Sequence, residues 1–154
     1  MGGLYFEDFE VGKRWVTQTR TLGAVDVETF AILSGDRNAI HLGAEASPHF
    51  KKQVVHGLLG LCASTGLMYA LGEWAGTTVV MGEIERWKMT KPIYVGDTVW
   101  AVVAVVEVDE LEGVAWYGKV WLAVRLLARE GEVCQYGKVC MVAARRAAEA
   151  VAAR

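Results

Sequence analysis

At 154 residues the chain suits one domain, residues 1–154, and a domain of this size buries roughly 70% of its unfolded surface and so needs no disulfide or metal staple. Sixteen basic against eighteen acidic residues give a formal net charge of -2, which leaves no electrostatic case for a nucleic-acid or anionic-membrane partner. Cys62, Cys134 and Cys140 are odd in number and lack CxxC spacing, so they read as buried, reduced thiols of a cytoplasmic protein.

The amino-terminal MGGLYFEDFEVG has early acids and no basic stretch before an apolar one, unlike a secretory leader. Trp15–Leu22 alternates aromatic and β-branched residues with polar ones and ends before Gly23, which predicts a short strand. A helix follows, with Asp26 as N-cap, an apolar stripe of Val27, Phe30, Ala31 and Leu33, and Gly35 as a left-handed C-cap. Asp36 is thus delivered just past a helix carboxyl end. Residues 36–56 lack a sustained period and contain Pro48, so they read as loop with one helical turn near Ala44–Phe50.

Gly57–Gly72 carries no charge and is apolar on every face, with Gly60 and Gly66 leaving room for a close neighbour. This predicts a buried helix about 24 Å long at 1.5 Å per residue, surrounded rather than laid on a surface, and too short for the ~20 residues that cross a bilayer. From there the period becomes two: Thr77–Thr90, Thr98–Leu111, Val114–Arg129 and Val133–Val142 read as strands of a mainly antiparallel sheet. In the third, Val114, Trp116, Val120, Leu122, Val124 and Leu126 share one face, while Lys119, Arg125 and Arg129 join Tyr117 and Trp121 on the other. A strand of some 14 residues extends ~48 Å, beyond the ~40 Å diameter expected of such a chain, so the strands must curve, and around that helix. Thr98–Val108 is apolar on both faces, and with 53% apolar residues and six tryptophans overall a second subunit is expected to cover part of the surface. Ala143–Arg154 is alanine-rich and reads as a helical packing tail.

The chemistry concentrates in Leu33–Gly57, which holds Asp36 and all three histidines, His41, His49 and His56. Asp36 and His41 are five apart and share no helical face, so they converge only if the intervening residues fold back, which Asn38 favours. A carboxylate and an imidazole sharing one water can take a proton from it and return one to a substrate, and the free N–H groups at Gly57 could hold an oxyanion. By spacing alone an Asp-x-Asn is more often an ordinary turn than a catalytic pair. Histidines at intervals of eight and seven match no compact zinc spacing. His49 reads as a surface residue, His56 as a hydrogen-bonded structural one, Lys51 and Lys52 as a solvated pair and Asp97 as a turn. The tryptophans and methionines read as core, and no glycine-rich phosphate loop is present.

The string FAILSGDRNAIH, Phe30–His41, resembles the signature of the MaoC-like (R)-specific enoyl-CoA hydratases. YFEDFEVGKRW at Tyr5–Trp15, VVHGLLG at Val54–Gly60 and KPIYVGDTV at Lys91–Val99 resemble further segments of that family in the same order, so the likeness covers residues 5–142. It implies an α+β hot-dog fold, a curved antiparallel sheet wrapped around one long helix, assembled as a homodimer or higher homo-oligomer. It also implies that Asp36 and His41 add water to C3 of a trans-2-enoyl-CoA thioester while the Gly57 amide holds the thioester oxygen, the reverse being dehydration of an (R)-3-hydroxyacyl-CoA. Asn38 would brace the loop, and no metal or redox cofactor is implied. Three positions depart from the pattern: Ala39 replaces a proline, Gly43 an acidic residue and Gly60 a serine. The competing readings are a hot-dog acyl-CoA thioesterase and a noncatalytic acyl-CoA-binding subunit.

Overall fold

A computed structural model describes residues 2–43, 49, 50 and 52–146. The elements are β1 (Arg14–Val16), β2 (Arg20–Thr21), α1 (Ala24–Ser34), α2 (Ala39–Leu42), α3 (Gly57–Tyr69), β3 (Thr78–Met89), β4 (Thr98–Asp109), β5 (Tyr117–Ala128) and β6 (Glu132–Ala144). All strand pairs are antiparallel, in the order β1-β4-β5-β6-β3, with β2 also on β4.

Alternation decides which face of the sheet turns inward. Val99, Ala101, Val103 and Val105 of β4 and Val120, Leu122, Val124 and Leu126 of β5 are all buried and form one core with Leu59, Ala63, Leu67 and Met68 of α3. Burying each valine, leucine or methionine of this set contributes about 1.5–3 kcal/mol, which makes the helix and sheet mutually dependent. Breaks of register at Val105/Glu107, at Leu126/Leu127 and at three places along β3 bend the strands. This is the curvature that strand length demanded.

Several boundaries differ from the sequence reading. The first predicted strand is split in two, because the Thr17 hydroxyl itself accepts the Ala101 N–H at 2.9 Å and takes a ladder bond from the backbone. Asp26 lies inside α1; the helix starts from Gly23, whose N–H the Asp26 carboxylate accepts at 2.9 Å. Gly35 is the left-handed cap, at φ 75°. The expected helical turn near Ala44 falls largely on residues outside the described ones, and α2 supplies a turn earlier, beneath His41. Arg129 stands past the end of β5 at φ 51°, bonded to Glu132 and Asp97. Ala143 and Ala144 extend β6 instead of opening a tail helix, and the tail beyond Arg146 lies outside the described residues.

α3 is not surrounded within one chain. Leu58, Cys62 and Tyr69 form an exposed stripe on it, and Leu33 on α1 is 82% exposed rather than core. Cys62 is therefore an exposed thiol, whereas Cys134 and Cys140 are buried, and burial pushes both of those thiols up from their ordinary pKa. The outer face of β4, with Val102, Ala104 and Val106, is also open beneath Arg14, Lys88 and Arg125. No described helix is long and apolar enough to cross a membrane.

The amino-terminal 3-10 turn Phe6–Asp8 is seated by one glycine. A Cβ at Gly118 of β5 would lie 2.3 Å from the buried Phe6 ring. Gly118→Ala is expected to destabilise the fold by about 1–3 kcal/mol through overpacking, read from the midpoint of denaturant unfolding. An unchanged midpoint would show that the ring can move aside.

Candidate active site

The turn after α1 is built from local side-chain caps. Gly35 reverses the chain, Ser34 Oγ accepts the Asp36 N–H at 3.1 Å, and Asp36 Oδ1 accepts the Asn38 N–H at 3.1 Å. Asn38 Oδ1 then accepts the Ile40 N–H at 3.3 Å and caps α2. Each short polar side chain satisfies an amide two residues on, so residues 36–41 fold back without any regular period.

His41 is the buried end of this turn, 7% exposed. Its Nδ1 lies 2.8 Å from the Val54 carbonyl, which only accepts, so Nδ1 carries a hydrogen and Nε2 is the nitrogen that presents a lone pair whenever the ring is neutral. That Nε2 stands 3.9 Å from Asp36 Oδ2. The separation is too long for a direct hydrogen bond and fits two acceptors facing one shared donor. Val54 is itself tied down, its N–H donating to Ile40 O at 3.0 Å and its backbone bridging Tyr94.

His56 supports both groups. Its Nε2 donates to the Asp36 carbonyl at 3.0 Å, its ring stacks on His41 with centroids 3.8 Å apart and 25° between planes, and Phe30 packs on it at 5.0 Å. Asp36, His41 and His56 are near enough to suggest a metal cluster. An imidazole binds metal along a lone pair in its own plane, and two rings stacked in this way do not aim such lone pairs at one point.

Immediately after His56, α3 begins at Gly57, where the first-turn amides have no acceptor within the helix. A cavity of about 440 Å³ opens there, lined by His41, Gly57, Met89, Thr90, Ile93 and Gln135 among others. A Cβ at Gly57 would come within 2.2 Å of Met89 Sδ, so glycine lets the Met89 side chain pack against the start of α3. The structure thus places His41 and Gly57 on one cavity and Asp36 against His41. The Asn38 side chain is exposed and engaged as the α2 cap, away from the cavity wall. His49 and Lys52 are exposed, and Asp97 accepts the Tyr94 N–H in a turn.

Gln135 is the residue of this region that sequence reading passes over, while Trp87 and Met89 read only as core. Gln135 is 3% exposed on β6, the one amide among Cys134, Val139, Cys140 and Val142, and that lone polar position was the available signal.

Comparison with known proteins bears on the family and the fold. Residues 8–117 match the family described as MaoC like domain. The chain is 33% identical over 97 residues to Protein MaoC of Klebsiella aerogenes, covering 62% of this chain and only 28% of that protein. It is 32% identical over 111 residues to the (R)-specific enoyl-CoA hydratase of Aeromonas caviae, covering 71% and 80% of the two chains. Among solved structures, a monoamine oxidase regulatory protein from Archaeoglobus superposes with a TM-score of 0.85 at 22% identity, over 94% of this chain and 97% of that one. A Mycobacterium tuberculosis protein with a double hotdog fold superposes at 0.76 and 18% identity, over 94% and 45% of the two chains. Motif order, sheet topology and the family match together establish that the chain belongs to the MaoC-like domain family of hydratases and dehydratases, on a hot-dog fold.

Proposed function

We propose that the protein is an (R)-specific enoyl-CoA hydratase, interconverting trans-2-enoyl-CoA and (R)-3-hydroxyacyl-CoA. One observation carries the reading: Asp36 Oδ2 and the lone-pair nitrogen of His41 face each other at 3.9 Å, beside the cavity at the amino end of α3. A water held there donates one hydrogen to each. As its oxygen bonds to C3 of the enoyl group, the pair takes one proton from it. The electrons of the double bond move onto the thioester oxygen, which the Gly57 N–H holds as an oxyanion. A proton from the pair then reaches C2, so the elements of one water are added. Asn38 acts through the turn it caps, and the chemistry asks for no metal or redox cofactor.

The stereochemistry and the CoA thioester follow the Aeromonas caviae relative. Three unpaired cysteines are in keeping with a cytoplasmic protein. The exposed apolar residues Leu33, Leu58, Cys62 and Tyr69 on α1 and α3, with Val79, Val80 and Ile84 on the outermost strand, support a homodimer. Light scattering should return twice the chain mass; a monomer at micromolar concentration would exclude that assembly.

The test is to give the purified protein crotonyl-CoA and follow loss of the conjugated enoyl absorbance beside a thiol reagent. Hydration without thiol release is expected. Thiol release without hydration would make the protein a thioesterase, and binding with neither would make it a noncatalytic acyl-CoA-binding subunit.

A further inference from the structure

Three local features of the chain converge on one buried amide. Arg86 adopts φ 51° at the break of register between Glu85 and Lys88, where β3 turns Trp87 against the core. Gly137 stands where a Cβ would lie 2.8 Å from the Trp87 Cα. Gly60 stands where a Cβ would lie 2.4 Å from Gln135 Nε2. A left-handed arginine and two residues denied a side chain are unfavourable locally, and all three serve to seat Trp87 and Gln135.

The amide they seat is held at both ends. Gln135 Oε1 accepts the Trp87 indole N–H at 3.1 Å, and Gln135 Nε2 donates to the Gly57 carbonyl at 3.0 Å. An indole only donates and a carbonyl only accepts, so the amide has one orientation. The peptides on either side of the Gly57 Cα are therefore restrained. On one side His56 is tied through Nε2 to the Asp36 carbonyl; on the other Gln135 grips the Gly57 carbonyl. Glycine has the widest backbone freedom of any residue, and a donor on it is useful only if that freedom is removed from outside.

We infer that Gln135 is a positioning residue for the oxyanion-holding end of α3, acting through Gly57. The inference rests on the hydratase reading above. Its effect is confined to charge that develops in the transition state, so losing it lowers kcat more than it raises KM.

The structure also indicates a substitute. In the same helix Ser64 Oγ donates to the carbonyl three residues back, Leu61 O, at 2.7 Å, and Thr65 does the same to Cys62 O at 2.8 Å. A serine at position 60 would reach Gly57 O in that way, but only once the glutamine is shortened.

The experiment compares wild type, Gln135→Leu, Gln135→Ala and the double variant Gly60→Ser/Gln135→Ala in crotonyl-CoA hydration, well below each melting temperature. Both single variants should lose about 10- to 100-fold in kcat with KM within about threefold, and the double variant should recover most of the loss relative to Gln135→Ala. If wild type hydrates and Gln135→Leu keeps kcat within twofold, the positioning role is overturned and the hydratase reading stands. If the double variant regains melting temperature but not kcat, Gln135 only fills space, and the inference is again overturned. A wild type that hydrates nothing removes the hydratase reading and this role with it, an outcome told apart by the wild-type rate alone.

Discussion

Asp36→Asn is expected to lower kcat for enoyl-thioester hydration by about 10³-fold with little effect on the melting temperature. The side chain is 51% exposed, and among the described residues its structural task is to accept the Asn38 N–H through Oδ1, which an asparagine oxygen also does. What the substitution removes is the second carboxylate oxygen, the one facing His41. An amide nitrogen there is a donor and cannot accept a proton from water. Steady-state kinetics with crotonyl-CoA together with thermal unfolding checks both halves. A loss of less than about tenfold would show that the carboxylate is not the working base.

The His41 prediction separates two jobs of one ring. Nδ1 donates to Val54 O inside the protein, while Nε2 faces Asp36. Asparagine places its amide nitrogen near the position of Nδ1 and has nothing at Nε2. His41→Asn should therefore lose about 10³-fold in kcat, yet remain more stable than His41→Ala, which also leaves the buried Val54 carbonyl unpaired at a cost of about 1–3 kcal/mol. Because Asp36 and His41 work on one water, the double variant Asp36→Asn/His41→Asn should be only a few-fold slower than the slower single variant. Losses that multiply would mean two independent steps, against the shared water. Equal stability of the Asn and Ala variants would contradict the proposed anchoring.

The sheet was legible because a period of two states directly which residues turn inward: Val120, Leu122, Val124 and Leu126 are buried as alternation requires, whereas Val114 and Trp116, expected on the same face, lie ahead of β5, where the alternation has not begun, and are half-buried and exposed. α3 was legible from its absence of charge, although an uncharged helix conceals where its buried face ends, and Leu58, Cys62 and Tyr69 are exposed in the single chain. Asp36 and His41 stood out by type and context, but their approach could not be read from spacing. It depends on a four-residue helix too short to have a period and on caps made by Ser34, Asp36 and Asn38. Gln135 was invisible for the opposite reason. Its partners are Trp87 and Gly57, 48 and 78 residues away in the chain, and no local pattern announces a hydrogen bond made across the fold.

The volume shared by Gly60 and Gln135 sets the order in which those two positions can change. Any residue larger than glycine at 60 meets the glutamine, so that door opens only after position 135 has been trimmed. A lineage carrying this pair is held to it by steric history: each step toward a serine at 60 passes through a worse intermediate. Chimeras with other proteins of the family that exchange one of the two positions alone should inherit the defect, and those that exchange both should escape it.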